Sequence, residues 1–165
     1  MSIQQISVFL ENRAGQLAEI TKVLAGEGID LRAISIAETA DYGVLRMIVD
    51  DSQKAKSILL DSGYIMSVTP VLAVAVPDAP GGVASVLELL AEGKIDIEYM
   101  YSLFTHVEGK AYMVFRVSDE GKFKALLDSH GIQTCSAAEL GLKEYKGIRK
   151  ARSKRCGLFV VVMGW

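Results

Sequence analysis

Asn12-Arg13-Ala14-Gly15-Gln16-Leu17 is answered 66 residues later by Asp78-Ala79-Pro80-Gly81-Gly82-Val83. Each stretch follows an apolar, strand-like run and opens a segment whose apolar residues recur at helical spacing. The correspondence extends outward. Ile29-Asp30-Leu31 matches Ile95-Asp96-Ile97 at the same offset, and Leu60-Asp61-Ser62 matches Leu127-Asp128-Ser129 with the offset grown by one residue. Such self-similarity means one supersecondary unit used twice. Both copies keep a polar, glycine-bearing turn at the mouth of a helix, a natural site for a small ligand.

Around the first turn, Ile6, Val8 and Leu10 alternate as in a strand with one buried face. Residues 15–27 carry Leu17, Ile20 and Leu24 on one helical face, and Gly28 stands where a helix stops. Residues 31–39 and 44–49 read as strands joined by a hairpin at Asp41-Tyr42-Gly43, residues 53–61 as a helix, and residues 64–68 as a closing strand. The second copy repeats the order: strand 71–76, helix 81–92, strand 96–104, turn 107–109, strand 111–117, helix 122–129 and a final strand at 132–137. The expected class is therefore α+β, two ferredoxin-like βαββαβ units packed side by side. The units span residues 1–69 and 70–142, with Pro70 between them and almost no linker. Residues 143–165 lie outside the repeat.

Of the 165 residues half are apolar and 23% charged, which predicts a packed core and not wholesale disorder. The net charge of −2 hides an asymmetry: residues 143–156 hold seven Lys/Arg against one Glu, which leaves −8 on residues 1–142. An acidic body opposes binding to a phosphate backbone. Cys135 and Cys156 do not form a CxxC, residues 1–10 do not read as a signal peptide, and the apolar run 157–165 is too short to span a bilayer. These features predict a cytoplasmic protein with reduced thiols and no transmembrane segment.

The turns carry the chemistry. The first amides of a helix have no intrahelical partner, and the helix dipole favours negative charge there. Gly15, Gly81 and Gly82 remove the Cβ that would hold a ligand away, while Asn12 and Asp78 supply side-chain acceptors. A carboxylate on the amides and an ammonium on the Asn/Asp side chain or on strand carbonyls would match the two poles of a free amino acid. Asn12 and Asp78 can equally serve only to turn or cap the chain.

At these residues the sequence resembles the ACT domain, in which a strand leads through a short polar turn and a glycine into an apolar helix. Ile6 through Leu17 resembles that opening, and Val76-Pro77-Asp78-Ala79-Pro80-Gly81-Gly82-Val83 resembles it more closely through its Asp-x-Pro-Gly. Gly28-Ile29-Asp30-Leu31 and Lys94-Ile95-Asp96-Ile97 are similar to the family's entry into the second strand. The resemblance covers residues 3–140 and is nearest to small stand-alone tandem ACT proteins. It implies a non-catalytic, oligomeric regulatory protein that binds a free amino acid where ACT units meet, with no cofactor. Carried over by position, the ligand-binding residues are Asn12, Arg13, Ala14, Gly15, Gln16 and Leu17, with Asp78, Ala79, Pro80, Gly81, Gly82 and Val83 as their counterparts. Ile36 and Glu38, together with Tyr101 and Ser102, lie on the second strands that often face the ligand. The first unit departs from the family pattern in carrying Arg13-Ala14 where the second has Ala79-Pro80, so the two sites are expected to differ. Leu10 through Gly15 is also similar to the small regulatory subunit of acetohydroxyacid synthase, which implies a partner enzyme as the alternative reading.

Other signals are weaker. His106 and His130 have no Cys or carboxylate cluster at metal spacing, and Glu38 and Glu98 have no nucleophile beside them, so no enzyme is expected. Gly109 through Phe115 partly matches an RNA-binding signature, but Glu108 replaces the basic residue and residues 71–76 lack an aromatic. Tyr99-Met100-Tyr101 suits the interface between units, or else a pocket wall. The basic and then apolar run after Lys143 could touch an anionic surface, or be an extension without a role in the fold.

Overall fold

A computed structural model describes residues 2–11, 13–38, 42–105 and 107–143. Asn12, Asp41 of the expected hairpin, His106, Cys156 and the extension beyond Lys143 lie outside the described residues. The order is β1 (Ile3–Glu11), α1 (Gln16–Gly26), β2 (Leu31–Glu38), β3 (Tyr42–Val49), α2 (Ser52–Asp61), β4 (Met66–Pro77), α3 (Gly82–Glu92), β5 (Ile97–Ser102), β6 (Lys110–Val117) and α4 (Glu120–Ser129). The strands form one antiparallel six-stranded sheet in the order β2-β3-β1-β4-β6-β5.

Two strands expected separately, 64–68 and 71–76, are one. The first half of β4 pairs with β1, from Val8↔Met66 to Ile3↔Val71, and its second half pairs with β6, from Leu72↔Phe115 to Pro77↔Lys110. Pro70 is accommodated just before the change of partner, and its carbonyl accepts a hydrogen bond from Arg116 Nη1 at 3.3 Å. Because side chains alternate along a strand, this single strand serves three cores. Met66 and Val68 face α1 and α2 with Ile20, Leu24 and Leu59, whereas Leu72, Val74 and Val76 face α3 and α4 with Leu90, Phe123 and Leu127. Val71 and Ala73 point the other way, into a third core made by the helix-free faces of both units with Ile3, Ala33, Ile48, Tyr101, Tyr112 and Val114.

Those faces can meet because the sheet curls. β2 and β5 stand at opposite ends of the strand order, yet the Phe104 amide donates to the Arg32 carbonyl at 2.7 Å. Each small unit thus covers the apolar face that the other leaves bare, burial that neither could secure alone.

The expected last strand, 132–137, is reduced to a bridge between Val74 and Thr134, with the Cys135 amide donating to the Ala73 carbonyl at 2.8 Å. The cause is local. Glu139 Oε2 accepts from the Ser136 amide and hydroxyl at 2.6 and 2.7 Å, and the Glu139 amide donates to Ser136 Oγ at 3.3 Å. This reciprocal capping box turns the chain out of the strand. The chain then crosses to the first unit: Leu140 enters the shared core, and the Lys143 amide donates to the Asp50 carbonyl at 2.7 Å.

Candidate functional site

The two matched turns have nearly the same backbone. Gly15 (φ 90°, ψ −15°) precedes α1 and Gly81 (φ 89°, ψ −10°) precedes α3, both in the left-handed region that favours glycine. Neither helix has a side-chain cap. The other helix of each unit begins differently. Asp51 Oδ1 accepts from the Lys54 amide at 2.9 Å to cap α2, and Asp119 Oδ1 accepts from the Lys122 amide at 2.8 Å to cap α4. Each unit therefore pairs one carboxylate-capped helix mouth with one uncapped, glycine-bearing mouth at which the dipole favours an anion.

Close approach fixes the second turn. A Cβ on Gly82 would stand 1.9 Å from the Pro77 carbonyl oxygen, so only glycine fits. The matched position of the first unit is Gln16, whose Oε1 is buried without a hydrogen-bond partner among the described residues. Asp78 through Gly81 are exposed, and the Asp78 amide donates to the Gly109 carbonyl at 3.1 Å. Arg13 is occupied locally, 3.1 Å from Glu19 and 3.8 Å from Glu11. Ala14 and Gly15 are exposed, Leu17 is partly exposed, and Val83 packs against the core beneath α3.

The pairing places Glu38 and Glu11 beside the start of β3, through Glu38↔Gly43 and Glu11↔Tyr42. Ile36, exposed and paired with Leu45, thus shares one end of the first unit with the first turn. Ser102 is exposed at the corresponding end of the second unit. Tyr101 is elsewhere: its hydroxyl donates to Gln5 Oε1 at 2.7 Å inside the shared core. Gln5 Nε2 in turn donates to Ser7 Oγ and to the Tyr99 hydroxyl, each at 2.9 Å, and Arg46 lies 4.1 Å from the centre of the Tyr99 ring. Burial, with Tyr99 alongside, pushes the Tyr101 phenol above its ordinary value of 10.0. The alternation of Ile6, Val8 and Leu10 predicts one buried face for this strand; Gln5 and Ser7 on its other face are buried as well, because the second unit covers it.

The two turns do not converge. Turn one lies across from Ile65, whose carbonyl accepts from the Phe9 amide, and turn two follows Pro77 at the far end of β4. At about 3.3 Å per residue, the length of β4 puts them on the order of 40 Å apart along the strand. They are two separate mouths. A cleft of about 430 Å³ reaches Pro77 but is lined by none of the residues from Asp78 to Val83. No helix among the described residues is long and apolar enough to cross a membrane, and no cluster of His, Cys, Asp and Glu among them could hold a metal ion.

A family model described as an ACT domain pair matches residues 1–140. Among solved structures, protein BT0572 from Bacteroides thetaiotaomicron is 40% identical, with a TM-score of 0.79, covering 86% of this chain and 96% of that one. The ligand-free regulatory subunit of aspartate kinase from Thermus thermophilus is 18% identical with a TM-score of 0.58, covering 78% of this chain and 90% of its own, a likeness of fold. The sequence matches no curated protein.

Proposed function

The chain belongs to the family of ACT domain pairs, a regulatory and non-catalytic ligand-binding fold, and from that premise we propose that it is a sensor of free amino acids. The ligand's carboxylate sits on the second and third amides of α1 (Leu17, Ala18) and of α3 (Val83, Ala84), since the first amides, of Gln16 and Gly82, already donate to the Arg13 and Ala79 carbonyls at 3.4 and 3.0 Å. One observation carries this reading: the duplicated fold caps α2 and α4 with aspartate and leaves the other two mouths open at a left-handed glycine. Residues 78–81 and 13–15 are exposed, so a second copy of the chain docking at these ends would complete each pocket, which makes the active form a homo-oligomer. For a ligand of about ten heavy atoms, affinities on the order of millimolar to micromolar suit a sensor of metabolite pools.

A thermal-shift screen of the twenty amino acids tests it, because a ligand selective for the folded assembly raises stability as RT ln(1 + [L]/Kd). Gly15→Asp and Gly81→Asp are the controls. Nothing lies within 4 Å of a Cβ at either glycine, so aspartate has room, at the cost of backbone strain from the positive φ, and brings a competing carboxylate to each mouth. One or a few amino acids should raise the melting temperature, and the double variant should lose the response. A response untouched by both substitutions would remove the turns as the site.

A second reading, a regulatory subunit relaying the same binding event to a biosynthetic enzyme, is favoured by the fold shared with the Thermus aspartate kinase subunit. Co-purification of a catalytic chain with the tagged protein would establish it.

A further inference from the structure

The shortened strand after α4 opens a cleft of about 430 Å³ that is separate from both turns. Its walls are the end of β4 at Pro77, the start of β6 at Lys110 and Tyr112, and the crossing segment at Thr134, Cys135 and Glu139. In the first unit the same edge of β4 is covered by β1; in the second, pairing stops at Thr134 and Cys135 because the capping box draws the chain away. The volume is within the range of small-molecule sites.

Two charges set its chemistry. Among the described residues Lys110 has no ion pair, and Glu139, close enough for the two to feel each other, is not paired with it. Glu139 is held by Ser136 through one carboxylate oxygen, Oε2, and the Ser136 amide and hydroxyl keep its carboxyl below the ordinary range, so it stays ionised. An unpaired cation and a carboxylate held in place by Ser136 therefore line the same cleft. The Cys135 thiol, which also lines the cleft, is pushed up to about 11 mainly by burial, stays neutral and is only part of the wall. We infer that this cleft binds a small zwitterion, its carboxylate on the Lys110 ammonium and its ammonium on the Glu139 carboxylate. The site is additional to the turns and does not require them to bind. The wall at Thr134, Cys135 and Glu139 belongs to the segment that carries Leu140 into the shared core and Lys143 onto Asp50 and Asp51, so occupancy bears on the contact between the units.

Backbone amide NMR of the full chain tests it, with glycine and L-alanine as zwitterions and acetate and methylammonium as their separate poles. Saturable shifts at the Lys110, Thr134, Cys135 and Glu139 amides are expected with the zwitterions and not with either pole alone. Lys110→Met and Glu139→Gln should each weaken that binding about tenfold or more. Glutamine keeps the capping box, so loss in that variant is not a folding defect. The shifts should persist in the Gly15→Asp, Gly81→Asp double variant. Silence at these amides, equal shifts from acetate alone, or unchanged affinity in both charge variants would overturn the inference. Shifts confined to the amides after Gly15 and Gly81 would overturn it while leaving the turn reading standing.

Discussion

Adjacent glycines in the second turn do different work, which shows in what an added methyl would cost. At Gly82 the obstacle is backbone, the Pro77 carbonyl 1.9 Å from a Cβ. Gly82→Ala should destabilise by about 2–3 kcal/mol in chemical denaturation, since the chain must move to make room. At Gly81, with open space but φ at 89°, alanine should cost about 1–2 kcal/mol of backbone strain and leave the structure intact. In the shared core, Tyr101→Phe strips the donor from Gln5 Oε1, a residue with 0% exposure, and should cost about 1–3 kcal/mol. The same phenol sets a pH dependence. Its folded pKa lies above the unfolded value of 10.0, so its share of stability is complete below pH 10 and is lost as pH rises beyond that. The alkaline limb of the stability profile should therefore be shallower in Tyr101→Phe.

At the scale of elements, the division between capped and uncapped helices is the arrangement on which the functional reading stands. Asp51 caps α2 and also receives Lys143 Nζ at 3.1 Å. The Lys54 amide foremost, helped by Lys143, holds its carboxyl below 3.8. A depressed folded pKa gives stability that is present above the unfolded value and is lost as pH falls through the folded one. Asp51→Ala should cost about 1 kcal/mol at neutral pH and flatten the loss of stability below pH 4. Denaturant titrations at neutral and acid pH check both halves of this expectation. No such cost attends α1 and α3, whose mouths already lack a side-chain cap.

For the whole molecule, β4 and the segment after Cys135 tie the units into one folding unit. Leu140 is 1% exposed in the core that both halves build. Leu140→Ala should lower stability by about 2–4 kcal/mol while the protein still unfolds in a single transition. Calorimetry in which one half melted before the other would contradict that coupling.

The sequence by itself determined the repeat, the period-two and helical faces and the two glycine turns, because these depend on residue spacing and backbone sterics that act within a few positions. Leu17, Ile20 and Leu24 announce α1 without help from elsewhere, and Gly15 and Gly81 announce their left-handed turns. Ser136 and Glu139 also carried a legible signal, a capping box at its usual spacing, against the strand expected at 132–137. Only the tertiary structure decided that β4 is one strand with two partners, that Gln5 and Tyr101 meet 96 residues apart, that the two turns stand at opposite ends, and that Lys110 and Glu139 share a cleft. Those outcomes follow from the curl of a sheet whose helix-free faces must be buried against each other, and no local pattern records which surface will cover which.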